Sequence, residues 1–156
     1  MPEQAFNYTD YVREEWVDYN GHMNDAAYAA VFSYAVDSFM DTIGLDEESR
    51  HSLSYTIFTL ETHLCYLKEA HKNEPLHVSV QLLDDDAKRL HVFFTMKNES
   101  GEQLATSEQM LMGMSTSEGR PVPFPESVSQ HIQELRQEHE HLEIPNQVGR
   151  KIGIRR

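Results

Sequence analysis

Asp18-Tyr19-Asn20-Gly21-His22-Met23-Asn24-Asp25 is the stretch whose reading decides the fold. It is a tight polar turn: Asp bonds readily to nearby backbone, and Gly adopts conformations closed to other residues. On its N-terminal side, Tyr11 to Val17 reads as a first strand. On its C-terminal side, Ala26 to Ile43 reads as a long helix, apolar nearly all round. The polar stripe of that helix is Ser33, Asp37 and Asp41, spaced four apart, with Ser38 beside it. A stripe so narrow predicts a helix enclosed on most sides by other structure. Asn24 or Asp25 is placed to cap its first turn, and Gly44 to end it. A carboxylate, Asp18, therefore stands a few residues before the N-terminus of a buried helix. Backbone N–H groups and the helix dipole stabilise a negative oxygen at such a place.

Outward from this unit the pattern changes period. Residues 1–9 read as a loose lead-in and Asp46 to Ser52 as a polar connection. Tyr55 to Lys68 reads as a long strand, with Phe58, Leu60, Leu64 and Tyr66 on one face. Leu76, Val78, Val80 and Leu82 alternate with His77, Ser79 and Gln81. After the polar turn Asp84-Asp85-Asp86, Leu90, Val92, Phe94 and Met96 alternate in the same way. Asn98-Glu99-Ser100-Gly101 makes a second hairpin turn. Gln103 to Ser115 is the last long strand, with Met110, Met112 and Met114 on one face. Period-two alternation with one apolar face predicts an antiparallel sheet packed on one side, and the long helix is what it packs on. The fold class is α+β. Pro121, Pro123 and Pro125 lead to a short helix over 126–138 and a basic end, Gly149-Arg150-Lys151-Ile152-Gly153-Ile154-Arg155-Arg156. No repeat or linker divides the chain, so 1–156 reads as one domain, with a core at about 8–117 and a C-terminal extension over 118–156.

With 156 residues the chain is long enough for a real core. Its formal net charge of -13 argues against nucleic acid and anionic membranes as partners. Hydrophobic content is 39%, and no window approaches the ~18 apolar residues of a membrane span. The start, Met1-Pro2-Glu3-Gln4, lacks a signal peptide's basic and apolar regions. A single cysteine, Cys65, excludes an internal disulfide and fits a cytoplasmic location.

The sequence Asp18-Tyr-Asn-Gly21-His22-Met-Asn24, with Tyr28 and Phe32 on the following helix, resembles the signature of hot-dog-fold acyl-CoA thioesterases of the 4-hydroxybenzoyl-CoA thioesterase type. The resemblance covers residues 8 to 117. The full wording through Asp25, together with the basic tail, further resembles the thioesterases of carnitine and betaine breakdown, which are similar to betainyl-CoA thioesterases. The resemblance implies a sheet wrapped round one long central helix. It also implies hydrolysis of a short acyl-CoA to free acid and CoA, with betainyl-CoA to betaine as the reaction the narrower resemblance points to, in a homodimer or homotetramer. CoA is then part of the substrate, and no separate cofactor is expected. Two other readings stand beside it: a thioesterase for fatty acyl-CoA or acyl carrier protein, whose apolar tunnel the methionine face would line, and a non-enzymatic acyl-CoA-binding module on the same fold.

Thioester hydrolysis needs a nucleophile, or a base for water, and a site for the oxyanion. Asp18 suits the first task, and backbone amides near Asn24 and Asp25 the second. By the resemblance, the family's catalytic carboxylate falls on Asp18 and its carbonyl-polarising amide near Asp25. Tyr19, Gly21, His22, Tyr28 and Thr62 are the candidate substrate contacts. Each has a plainer role as well: Asp18 as a turn former, Asn24 as a helix cap, Tyr28 as core. Asp37 and Asp41 are alternative carboxylates within the helix, and Glu61 lies with Thr62 on the strand expected at a dimer seam. Nine histidines invite a metal, but none shows zinc-site spacing, and no metal is expected. Trp16, Tyr19, Phe58 and Tyr66 are candidates for an aromatic box around a quaternary ammonium. Lys68, Lys72, Arg89, Arg150, Lys151, Arg155 and Arg156 are candidates for holding CoA phosphates, or for pairing with the protein's own carboxylates.

Overall fold

A computed structural model describes residues 6–156, so the acidic Met1–Gln4 start lies outside the described residues. In chain order the elements are β1 (Tyr8–Tyr11), a 3-10 turn (Glu14–Trp16), α1 (Asp25–Thr42), α2 (Glu47–Leu53), β2 (Tyr55–Tyr66), β3 (Pro75–Asp85), β4 (Arg89–Lys97), β5 (Gln103–Ser115), β6 (Arg120–Pro121) and α3 (Glu126–His139). The strands form one antiparallel sheet in the order β1-β3-β4-β5-β2, with β6 pairing the end of β5.

α1 lies against one face of this sheet, as the sequence predicts. Its buried residues, Ala27, Tyr28, Val31, Phe32, Ala35, Val36, Phe39 and Met40, recur at three- and four-residue steps. They meet the alternating Leu76, Val78, Val80 and Leu82 of β3 and Leu90, Val92, Phe94 and Met96 of β4. Phe94 is fully buried where the layers join, 6.3 Å from the ring of Phe32 and 6.3 Å from that of Phe39. Ser33, Asp37 and Asp41 form an exposed stripe on α1.

Four local expectations are corrected. The first strand is Tyr8–Tyr11 rather than Tyr11–Val17, because the polar run Arg13-Glu14-Glu15 has no apolar alternation to hold a sheet. Instead the buried Val12 exchanges backbone bonds with Asn73 and Glu74, and the chain then closes a 3-10 turn. The polar connection after α1 contains a helix, α2. Asp46 caps it by accepting from the Ser49 amide at 2.8 Å, and Glu47, Glu48, Arg50 and His51 complement its dipole. The pairing of β2 with β5 shifts register between Thr59 and Glu61. This bulge breaks the period-two pattern, so Phe58 and Leu60 do not share a face with Leu64 and Tyr66. Finally, Met110, Met112 and Met114 lie on the face of β5 opposite α1. The buried positions of that strand are Ser107, Gln109, Leu111, Gly113 and Ser115, which removes the expected methionine-lined tunnel.

The C-terminal extension closes the molecule on both sheet faces. Val128, Ile132 and Leu135 of α3 join the main core. Beyond α3 the chain crosses the outer face. Gln81, Phe93 and Glu108 stand side by side on three neighbouring strands. Gln81 donates to the Glu143 carbonyl at 3.2 Å, and Glu108 accepts from the Gly149 amide at 2.8 Å. The tail so anchored covers Phe93, which is buried apart from the main core. Among the described residues no helix is long and apolar enough to cross a membrane.

α3 is held at its end by His139, whose Nδ1 accepts from the Leu82 amide at 2.9 Å. Leu82 sits at a register shift in β3, and His139 satisfies its amide. Burial, with a smaller contribution from nearby His141, pushes the His139 pKa down. The folded state thus favours neutral imidazole more than the unfolded chain does. The contribution to stability is fully present above the ordinary histidine pKa of about 6.5, and is lost as pH falls through that value to the folded one. Protection factors of the α3 amides, which divide out the slowing of intrinsic exchange as pH falls, are expected to drop between pH 7.5 and 5.5. His139→Gln, which keeps an acceptor but cannot titrate, is expected to flatten that difference.

Candidate active site

The turn before α1 is a small hairpin. Val17 and Met23 pair across it, the Asp18 amide donates to the His22 carbonyl at 2.9 Å, and the Gly21 amide donates to the Asp18 carbonyl at 3.0 Å. Gly21 has φ +78°, and a Cβ there would meet nothing within 4 Å. The left-handed backbone, not crowding, demands glycine. Asp18 is exposed, and its Oδ1 accepts from the amides of Asn20 at 2.8 Å and His22 at 3.2 Å. Both bonds fall on one oxygen, which fixes the carboxylate. Tyr19 stands at the tip of the hairpin, 96% exposed.

The start of α1 follows directly. Asn24 is the cap: its Oδ1 accepts from the Ala27 amide at 2.9 Å, while its Nδ2 donates to the Trp16 carbonyl at 2.8 Å. The Asn24 amide also donates to the Trp16 carbonyl, at 2.8 Å, and the Ala26 amide is taken by Asp25 Oδ1 at 3.0 Å. Among the described residues, the Asp25 N–H is the amide of this first turn left without a partner. It lies at the first residue of α1, at the positive end of the helix dipole.

Tyr28 lies one turn further on, and its hydroxyl serves the backbone. It accepts from the Ala70 amide at 3.1 Å and reaches the Lys68 carbonyl at 3.4 Å. Burial raises its pKa, so it stays a neutral hydroxyl. Tyr66 packs edge-on to Tyr28 and donates to the Asp25 carbonyl at 3.2 Å, tying the end of β2 to the helix start. Thr62 sits apart from the hairpin, on the wall of a groove of about 250 Å³ that begins one turn into α1. Phe32, Ser33, Val36, Leu64 and Gln109 also line it. Gln109 is buried; its Nε2 donates to Ser107 Oγ at 2.9 Å, and its Oε1 has no hydrogen-bond partner. The hairpin and helix start thus bring together Asp18, Tyr19, Gly21, His22, Asn24 and Asp25. Tyr28 lies behind them and Thr62 beside the groove. Asp37, Asp41 and Glu61 are exposed.

The aromatic box does not form within one chain. The Arg13 guanidinium lies over the Trp16 ring at 4.4 Å, and that ring stacks on Tyr34. Tyr19 is at the hairpin tip, and Phe58 is near the far end of β2 from Tyr66. Several candidate cations are paired: Lys68 with Glu102, Lys72 with Glu14 at 3.6 Å, and Arg89 with Asp86 at 2.6 Å. Arg150, Lys151, Arg155 and Arg156 are exposed.

Two features were not foreseen. Glu69 and His71 stand beside His22, brought there by a loop that no local pattern announces. Gln109 faces the groove, a position that taking the methionine side of β5 as the significant face concealed.

Residues 12–132 match the model of the thioesterase-like superfamily. The chain belongs to this family. It is 43% identical over 155 residues to a protein of Pseudomonas aeruginosa strain PAO1 described as betainyl-CoA thioesterase, covering 99% of this chain and 98% of that one. It is 37% identical over 150 residues to an L-carnitine dehydrogenase/betainyl-CoA thioesterase of Rhizobium meliloti, of which it spans 29%. Among solved structures it superposes with a TM-score of 0.93 on the Staphylococcus aureus protein SAV2348, characterised in complex with CoA, at 39% identity and with 99% and 98% of the two chains covered. The match spans the C-terminal extension of this thioesterase as well as its core.

Proposed function

We propose that the protein hydrolyses a short acyl-CoA thioester to the free acid and CoA, with betainyl-CoA as substrate and betaine as product. The observation that carries this reading is the near full-length identity to the Pseudomonas betainyl-CoA thioesterase. The hairpin and helix start supply the parts the reaction needs. The thioester carbonyl accepts from the Asp25 N–H, which steadies negative charge on its oxygen as the carbon becomes tetrahedral. Asp18 either attacks that carbon or takes a proton from the attacking water. Thiolate departure then releases CoA; where Asp18 itself attacks, water next hydrolyses the Asp18–acyl anhydride, which frees the acid and restores the carboxylate. His22 and Tyr19 contact the bound ester, Gly21 gives the hairpin its shape, and Thr62 belongs to the groove that receives the acyl group. The net charge of -13 favours a cationic acyl head. The exposed basic tail is the counterpart for CoA phosphates. No resident cofactor takes part.

The partner is a second copy of this chain. β2 is a twelve-residue edge strand, and it exposes Phe58 and Leu60. Edge-to-edge pairing of two such strands removes this liability and forms a homodimer, or a homotetramer built from two. A cytoplasmic location suits a chain with one free, half-buried cysteine.

Thiol release over betainyl-, acetyl-, 4-hydroxybenzoyl-, octanoyl- and palmitoyl-CoA tests the proposal. Betainyl-CoA is expected to have the highest kcat/KM. Preference for palmitoyl-CoA would overturn the substrate assignment. Binding of CoA esters without hydrolysis would favour the non-enzymatic module.

A further inference from the structure

His22, Glu69 and His71 each present one ligand atom, and the three atoms lie within 4.8 Å of one another. His22 and His71 belong to segments 49 positions apart, joined by an isolated antiparallel bridge. The flanking bonds run from the Met23 amide to the Ala70 carbonyl at 2.8 Å and from the Lys72 amide to the Gly21 carbonyl at 3.2 Å. His22 and His71 are therefore the non-hydrogen-bonded pair, in which facing side chains stand closest and on the same side. Their rings are 5.0 Å apart. Glu69 is two residues before His71, so the period of two returns it to that side. Its Oε2 is 3.3 Å from His22 Nε2. Ligand atoms around one tetrahedral zinc ion are about 3.3 Å apart, given metal–ligand bonds near 2 Å. Small side-chain rotations close the cluster to that size.

A further carboxylate stands behind it. Glu74 Oε1 accepts from the His71 amide at 3.0 Å and lies 3.8 Å from His71 Nδ1. A carboxylate at one imidazole nitrogen orients the ring and leaves the other nitrogen for a metal. Two histidines and one glutamate also leave a coordination position open for water or another ligand.

We propose that His22, Glu69 and His71 form a zinc-binding site at the rim of the catalytic hairpin, and that zinc occupancy inhibits hydrolysis. The His22 amide donates to the Asp18 carboxylate, and the Asp18 amide to the His22 carbonyl. Coordination of His22 removes a substrate contact and places a divalent cation beside the catalytic carboxylate. Binding stands on geometry alone; the inhibition rests on the thioesterase reading given above.

The test uses the full-length chain free of any histidine tag and stripped with a chelator. Calorimetry with zinc sulfate is expected to give one saturable site per chain, and Co2+ to give the visible absorption of a low-symmetry nitrogen–oxygen site. Glu69→Gln and His71→Ala change exposed side chains outside the catalytic machinery, so basal thiol release is retained. Each is expected to weaken zinc binding by at least about tenfold. Saturating zinc is expected to lower wild-type thiol release at least about tenfold, reversed by chelator, and to spare His71→Ala at the same concentration. Absence of saturable binding, or equal affinity in His71→Ala, would overturn the site. Binding without inhibition would overturn its regulatory role. A protein that hydrolyses no ester tested but binds Co2+ through these residues would retain the site and refute the function instead.

Discussion

On the proposed mechanism, Asp18→Asn is expected to lower kcat for betainyl-CoA by roughly 10³-fold or more, in the range for loss of a general base or nucleophile. The fold is retained, because an asparagine Oδ1 still accepts from the Asn20 and His22 amides that Asp18 now holds. What is lost is the negative charge that lets the carboxylate attack or deprotonate water. KM changes much less than kcat, since the group acts on the reacting atoms. Asp25→Asn is the matched control. The contribution proposed for it is a backbone N–H, which the substitution leaves in place, so activity is expected to fall less than about tenfold. Steady-state thiol release with circular dichroism on both variants checks this pair. Asp18→Asn activity within tenfold of wild type would remove Asp18 from the mechanism.

The largest expected stability effect is at Phe94. Its ring is fully buried and contacts both Phe32 and Phe39 of α1, so it joins the helix layer to the sheet. Phe94→Ala costs about 3 to 5 kcal/mol through lost burial and the cavity left behind. Domains are stable by about 5 to 15 kcal/mol in total, so this single change removes a large fraction. Thermal melts are expected to show a fall on the order of 10 °C. Phe94→Leu, which keeps most of the apolar volume, is expected to recover much of that loss. A melting temperature unchanged in Phe94→Ala would contradict the packing of α1 on this face.

The layer arrangement was legible because its signals are periodic. The apolar faces of Ala27–Met40, Leu76–Leu82 and Leu90–Met96 each repeat at the step of their element, and a buried interface requires that repeat. The hairpin before α1 was legible for a different reason: aspartate, asparagine and glycine at positions 18, 20 and 21 leave the backbone few alternatives. The errors fall where local pattern carries no such constraint. Nothing in Thr59-Leu60-Glu61 marks a bulge, yet the bulge decides that Thr62 rather than Glu61 faces the groove. The methionines at 110, 112 and 114 are apolar enough for a core, but the strand's inner face carries the small or polar Ser107, Gln109 and Gly113. At Gly113 a Cβ would come within 1.8 Å of the Tyr55 hydroxyl, so that position has room for glycine alone. Tyr28 carries a family resemblance and a structural role at once, and only its bonds to residues 68–70 reveal the second. His22 and His71 meet through tertiary pairing, which spacing rules for zinc ligands do not see.

The most direct measurement compares kcat/KM for betainyl-CoA with that for 3,3-dimethylbutyryl-CoA, whose tert-butyl group copies the trimethylammonium in shape but carries no charge. Recognition of a cationic head by a strongly acidic protein predicts a preference for betainyl-CoA of at least about tenfold, the equivalent of 1.4 kcal/mol and within the range of cation recognition by aromatic and polar groups. Equal rates for the two esters, or faster turnover of the neutral one, would contradict betainyl-CoA as the substrate.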